Sequence, residues 1–96
     1  MKLIIRAIGP SLAQYGIANP LGNPTLDLHN GDGAVIQSND NWKDTQQAEI
    51  EAANLAPQND LESAIAATLP VGHYTAIVRG ADGTSGVALV EAYKLP

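Results

Sequence analysis

The residues best able to do chemistry gather between positions 27 and 44: Asp27, Asp32, Asn39, Asp40, Asn41 and Asp44. Hard cations are held by carboxylate and amide oxygens, and Ca²⁺ takes about six to eight of them. Asp27, Asp32, Asn39, Asp40 and Asp44 therefore make a candidate Ca²⁺ site. Their spacing is not that of an EF-hand loop, which alternates its ligands around a central Gly and closes with Glu. Asp and Asn also bond their own backbone and tolerate left-handed conformations, so turn formation competes for the same residues and is their commoner use.

Trp42, the only Trp, lies inside this stretch. With Asp40 and Asn41 it could bind a ligand, its ring stacking a sugar or a partner's aromatic side chain. The favoured use is to fold back and close one end of a core that contains no Phe,. Arg6 interrupts an apolar run, where it could recognise an anion. A part-buried structural pair with Glu91 is the stronger expectation, with Asp27 as the other acceptor. Gly9-Pro10-Ser11-Leu12-Ala13 resembles half of a nucleophile elbow, but Ala13 replaces the second Gly that the turn requires,. His29 and His73 have no sequence relation to Ser11, and no Gly-Lys-Ser/Thr phosphate loop is present,. These residues point to a chain without a reaction centre.

The elements that must position these side chains are mostly strands. Lys2–Ile8 is Ile-rich and extended, and Gly9-Pro10 stops it. Ser11–Tyr15 can form one helical turn before Gly16. Asn19-Pro20 and Asn23-Pro24 make a loop, because the residue before Pro is driven out of the helical region. Thr25–Asn30 alternates with period two, Gly31-Asp32-Gly33 turns, and Ala34–Ser38 returns: a hairpin signal. Thr45–Asn54 is predicted as the one helix, with Asp44 as its N-cap. Glu62–Leu69 fits strand or helix, and the Pro70-Val71-Gly72 turn favours strand. His73–Arg79 and Val87–Tyr93 complete about six strands separated by turns. That pattern predicts an all-β fold, an antiparallel β-sandwich with one short helix in a connecting segment, forming a single domain over 1–96.

Ninety-six residues support one thin core,. Ten acidic against five basic side chains give a net charge of −5, which would repel nucleic acid and anionic membrane surfaces,. No Cys is present, which removes disulfides and thiolate metal sites,. No apolar run is long enough to span a membrane, so no membrane insertion is expected. The polar, weakly charged surface suits a secreted or cell-surface protein, whose signal would lie outside this chain.

Several segments together are similar to a module found near the C-termini of large exported bacterial proteins. They are Arg6–Leu12, Asn23–Leu28, Ser38–Trp42, Leu69–Val78 and Gly86–Tyr93. The second half more distantly resembles the bacterial pre-peptidase C-terminal domain. That resemblance implies a jelly-roll-like, non-catalytic accessory domain, sometimes calcium-stabilised or matrix-binding. The chain departs from that pattern in its helix-like Thr45–Asn54 stretch and its Arg6–Leu12 motif. The expected role is adhesion, spacing or assembly through sheet edges and surface, with neighbouring domains or other copies of the chain as partners. The alternative is a carbohydrate- or matrix-binding module, with extracellular polysaccharide as ligand and Ca²⁺ as cofactor. The edges to consider first are the most apolar strands, Lys2–Ile8 and Val87–Tyr93.

Overall fold

The computed structural model describes residues 1–96. Its six strands are β1 (Lys2–Ile8), β2 (Pro24–His29), β3 (Val35–Asn39), β4 (Ser63–Thr68), β5 (Thr75–Gly80) and β6 (Leu89–Lys94). They form two antiparallel three-stranded sheets, ordered β4-β1-β6 and β3-β2-β5. Ile5, Ala7 and Ile65 from the first sheet meet Leu26 and Leu28 from the second, with Leu69 beside them, in one buried cluster. Alternation explains the second sheet's share: Pro24, Leu26 and Leu28 are buried, while the residues between them are only half-buried,.

β1 lies at the centre of its sheet, not at an edge as its sequence suggested. Ile4, Ile5 and Ala7 are buried, so both faces of the strand are covered. An Ile-rich run with two buried faces belongs between neighbours, because an edge would leave such a strand half wet.

The predicted turns sit where the residues placed them. Six residues after β1, Pro10–Tyr15, wind as a 3₁₀ helix that ends at Gly16 in the left-handed region, φ 84°. In the β2–β3 hairpin, Asn30 Oδ1 accepts from the Asp32 and Ala34 amides, and Gly33 takes φ 85°.

The helix is shorter than expected. α1 spans Gln47–Ala52, and Asp44 is not its cap but the end of a 3₁₀ turn over Trp42–Asp44. Asn39 Nδ2 donates to Thr45 Oγ1, and the Gln46 side chain is drawn to the Ala66 backbone of β4. These bonds hold residues 45 and 46 outside helical geometry, so winding begins only at Gln47. β6 likewise starts two residues later than the alternation suggested, because Val87 exchanges backbone bonds with the 19–21 loop rather than with β1.

Candidate functional site

The acidic and amide residues of the candidate Ca²⁺ site are partly brought together. Asp27, Asn39, Asp40 and Asp44 line one shallow polar depression of about 270 Å³. Asp32 lies apart from it, at the exposed tip of the β2–β3 hairpin. Within the depression, Asp27 accepts from Ser38 Oγ at 2.7 Å and from the Arg79 guanidinium at 3.1 Å. Asn39 is turned inward, where its Oδ1 accepts from the Ala64 amide. No three carboxylate or imidazole groups converge as a metal cluster.

Trp42 is 4% exposed and packs with Ile50 and Ala64 against Ala56. Its amide donates to the Glu62 carbonyl at 2.9 Å, and Lys43 lies over its ring while pairing with Asp60. The ring has no free face on which a sugar could stack. Asp40 and Asn41 flank it on the chain, but Asp40 points to solvent and Asn41 Nδ2 reaches Asp44. A blue-shifted Trp emission that resists acrylamide quenching is the expected signature. Emission and quenching like those of free Trp would contradict the buried placement.

Arg6 and Glu91 are cross-strand neighbours on β1 and β6. Arg6 Nη2 lies 2.6 Å from Glu91 Oε1, Nη1 donates to the Leu55 carbonyl, and the guanidinium stacks 5.3 Å from the Tyr93 ring centre. Tyr93 Oη closes the set by donating to Glu91 Oε2. Every polar group here has a partner within the chain. A cleft of about 390 Å³ opens beside the pair, between the Pro10–Tyr15 turn and Leu89.

Ser11 borders that cleft, whereas His29 and His73 line a different one at the far end of the β2–β3 hairpin. The Ser11 hydroxyl is committed to a carboxylate that sequence reasoning had passed over. Glu62 is fully buried, and no cationic side chain pairs with it. Its Oε2 accepts from the Gly9 and Ser11 amides at 2.9 Å each, and its Oε1 from Ser11 Oγ at 2.7 Å and Asn59 N at 3.1 Å. Four donors compensate its desolvation, which is how a buried charge is tolerated without a counter-ion. The Gly9-Pro10-Ser11 segment that resembled a nucleophile elbow is thus a cradle for a structural carboxylate. Gly9 is required there, since a Cβ on it would meet the Leu21 carbonyl oxygen at 2.1 Å.

The two sides of the molecule are finished differently. On the β3/β4 side, side-chain amides replace a missing strand. Asn39 Oδ1 takes the Ala64 amide, Gln46 takes both the amide and the carbonyl of Ala66, and Gln37 adds a second donor to that carbonyl. On the β5/β6 side, nothing does this. β5 pairs only with β2, β6 only with β1, and the two strands barely meet across the layers. An apolar cleft of about 290 Å³ runs between them, lined by Leu3, Ile5, Leu28, Tyr74, Ala76 and Val90.

Backbone phase identifies which amides are free. The Leu95 amide donates to the Lys2 carbonyl, so the odd residues of β6 face β1, and the amides of Val90, Ala92 and Lys94 point outward,. By the same reasoning, the Ala81 bond to Asn23 directs the amides of Ala76 and Val78 away from β2. Val90 faces the interior beside fully buried Ala7, yet it is 49% exposed. No helix is long and apolar enough to cross a membrane. Compared with protein-family models, curated proteins and solved structures, the chain matches none.

Proposed function

We propose that the chain is a non-catalytic structural module of an exported bacterial protein, acting in assembly by accepting extended strands on its open β5/β6 side. The observation that carries this reading is the pair of open edges flanking an apolar cleft, with an unpaired charge only at the far end of β6, Lys94. Exposed edge amides give affinity for a strand, and the cleft would take its inward side chains. The contrast with the guarded β3/β4 side strengthens the argument, because this sequence spends three amide side chains to close one edge and none to close the other.

The wiring supports a jelly-roll reading of the two sheets. An eight-stranded jelly roll orders its sheets 1-8-3-6 and 2-7-4-5. Removing its first two strands and renumbering leaves 4-1-6 and 3-2-5, which is the order found here,. The two missing positions would lie beside β6 and β5, on the open side. Export rests on the polar, weakly charged composition and on the resemblance of the Arg6–Leu12 and Gly86–Tyr93 segments to the exported module.

Strand addition is tested by titrating ¹⁵N-labelled protein with a peptide copying Val87–Tyr93. Amide shifts should change at Ala76, Val78, Val90 and Ala92 and stay constant at Ala64 and Ala66. A titration that leaves β5 and β6 unmoved at saturating peptide would overturn the reading.

A further inference from the structure

We infer that the strands completing the open side come from a second copy of this chain, with β6 pairing antiparallel to the partner's β6 and β5 to the partner's β5 about one two-fold axis. This rests on the assembly reading above and names its partner. Both free edges lie on the same side, so one two-fold operation supplies a neighbour to each sheet at once, and the interface is self-complementary. The product is two continuous six-stranded layers with the two apolar clefts merged between them.

Charge favours a self-match at this side. The chain carries −5 overall, which should keep copies apart,. Yet Val87–Tyr93 holds a single charge, Glu91, and Arg6 neutralises it at 2.6 Å. On β5 the only charge is Arg79, which pairs with Asp27. Natural edges are usually guarded by an unpaired Lys or an inward-pointing charge; neither β5 nor the Val87–Tyr93 run has one, and the unpaired Lys94 stands only at the last position of β6. Instead, Val87, Leu89 and Val90 are 48%, 45% and 49% exposed along a single run.

The phase of the free amides restricts the register. The outward-pointing residues of β6 are even-numbered, so even residues must bond even residues of the partner, and the axis passes through a residue position, not between two. An axis at Glu91 sets two carboxylates opposite each other, which is unfavourable. An axis at Val90 centres the apolar run Val87–Tyr93 on itself and places Leu89 against the partner's Glu91. In a hydrogen-bonded pair on the axis, the two Cα atoms lie about 5.5 Å apart, within disulfide reach.

The experiment is sedimentation equilibrium of the whole chain from micromolar to millimolar concentration, with three variants beside it. The wild-type chain should reach twice its monomer mass. Val90→Lys should weaken association at least tenfold. Val35→Lys, on the exposed part of β3, should leave it unchanged. Val90→Cys should give a disulfide-linked dimer under air oxidation, a result that stands even if Val90→Lys fails to fold, because the chain has no other Cys. A monomer at every concentration, a dimer indifferent to Val90→Lys, or no crosslink through Val90→Cys would each overturn the inference. A monomer whose β5 and β6 amides still respond to the Val87–Tyr93 peptide would point to a foreign strand, leaving the assembly reading standing and only the second copy rejected. A monomer that ignores the peptide would sink both.

Discussion

Glu62→Ala should destabilise the fold by about 3–5 kcal/mol, a large share of the roughly 5–15 kcal/mol available to a domain of this size. The carboxylate accepts from Gly9 N, Ser11 N, Ser11 Oγ and Asn59 N, and it is fully buried. Truncation strips the acceptor from three backbone amides, and each unsatisfied buried donor costs about 1–3 kcal/mol. Relief of the buried charge's desolvation returns part of that loss, so the total stays below the simple sum. Glu62→Gln keeps the shape and one acceptor oxygen. If that oxygen serves Gly9 and Ser11, the amide nitrogen faces the Asn59 amide, donor against donor. Its cost should be smaller, about 1–2 kcal/mol, and the order Ala worse than Gln is the decisive part. Urea unfolding with matched m-values measures both. Equal losses for Ala and Gln would mean that packing, not accepted hydrogen bonds, is what Glu62 supplies.

The strands were legible in the sequence because their evidence is local. Period-two alternation at Thr25–Asn30, the Asp-Gly turn after it, and the Ile-rich Lys2–Ile8 run each state their conformation without help from distant residues. Pairing partners were partly legible: Arg6 needed an anion, and Glu91 supplied it. What stayed hidden depends on long-range contact. Three of the four donors to Glu62 come from Gly9 and Ser11, more than 50 residues away, and only the Asn59 amide is local. The start of α1 was misplaced because Asp44 is a good cap in isolation, while the pull of Ala66 on Gln46 comes from a strand 20 residues away. Val90 and Ala92 belong to a strand that the sequence marks only as apolar. Only the strand order reveals that nothing closes over them, and only strand order moves β1 from edge to centre. Of the candidate site, Trp42 was singled out as unusual with inward packing as the favoured of its two uses; what the sequence left hidden were its neighbours, because Ile50 and Ala64 arrive from other elements.

Asn39→Ala should cost about 2–4 kcal/mol and should also loosen Trp42. Asn39 is buried at the last position of β3, and its amide does three jobs. Oδ1 accepts from the Ala64 amide at 3.0 Å, in the place a neighbouring strand would occupy on the outer edge of β4. Nδ2 donates to the Asn41 carbonyl and to Thr45 Oγ1, which fixes the turn that carries Trp42 inward. Ala64 is fully buried, so water cannot replace the lost acceptor without opening the structure,. Asn39→Asp keeps an acceptor for Ala64 but sets an oxygen against the Asn41 carbonyl, leaves Thr45 to turn its hydroxyl round, and buries a charge,. It should be at least as damaging as Ala. The specific readout is the Trp42 emission, which should shift red and become open to acrylamide in both variants under conditions where the fold persists. Gln46→Ala strips the acceptor from the Ala66 amide while Gln37 still reaches the Ala66 carbonyl; it leaves the Asn41 and Thr45 bonds intact, so it should cost less and leave the emission unchanged. A loss under about 1 kcal/mol for Asn39→Ala with unaltered emission would show that the β4 edge needs no substitute strand. The contrast between a guarded and an open side would then lose its physical basis.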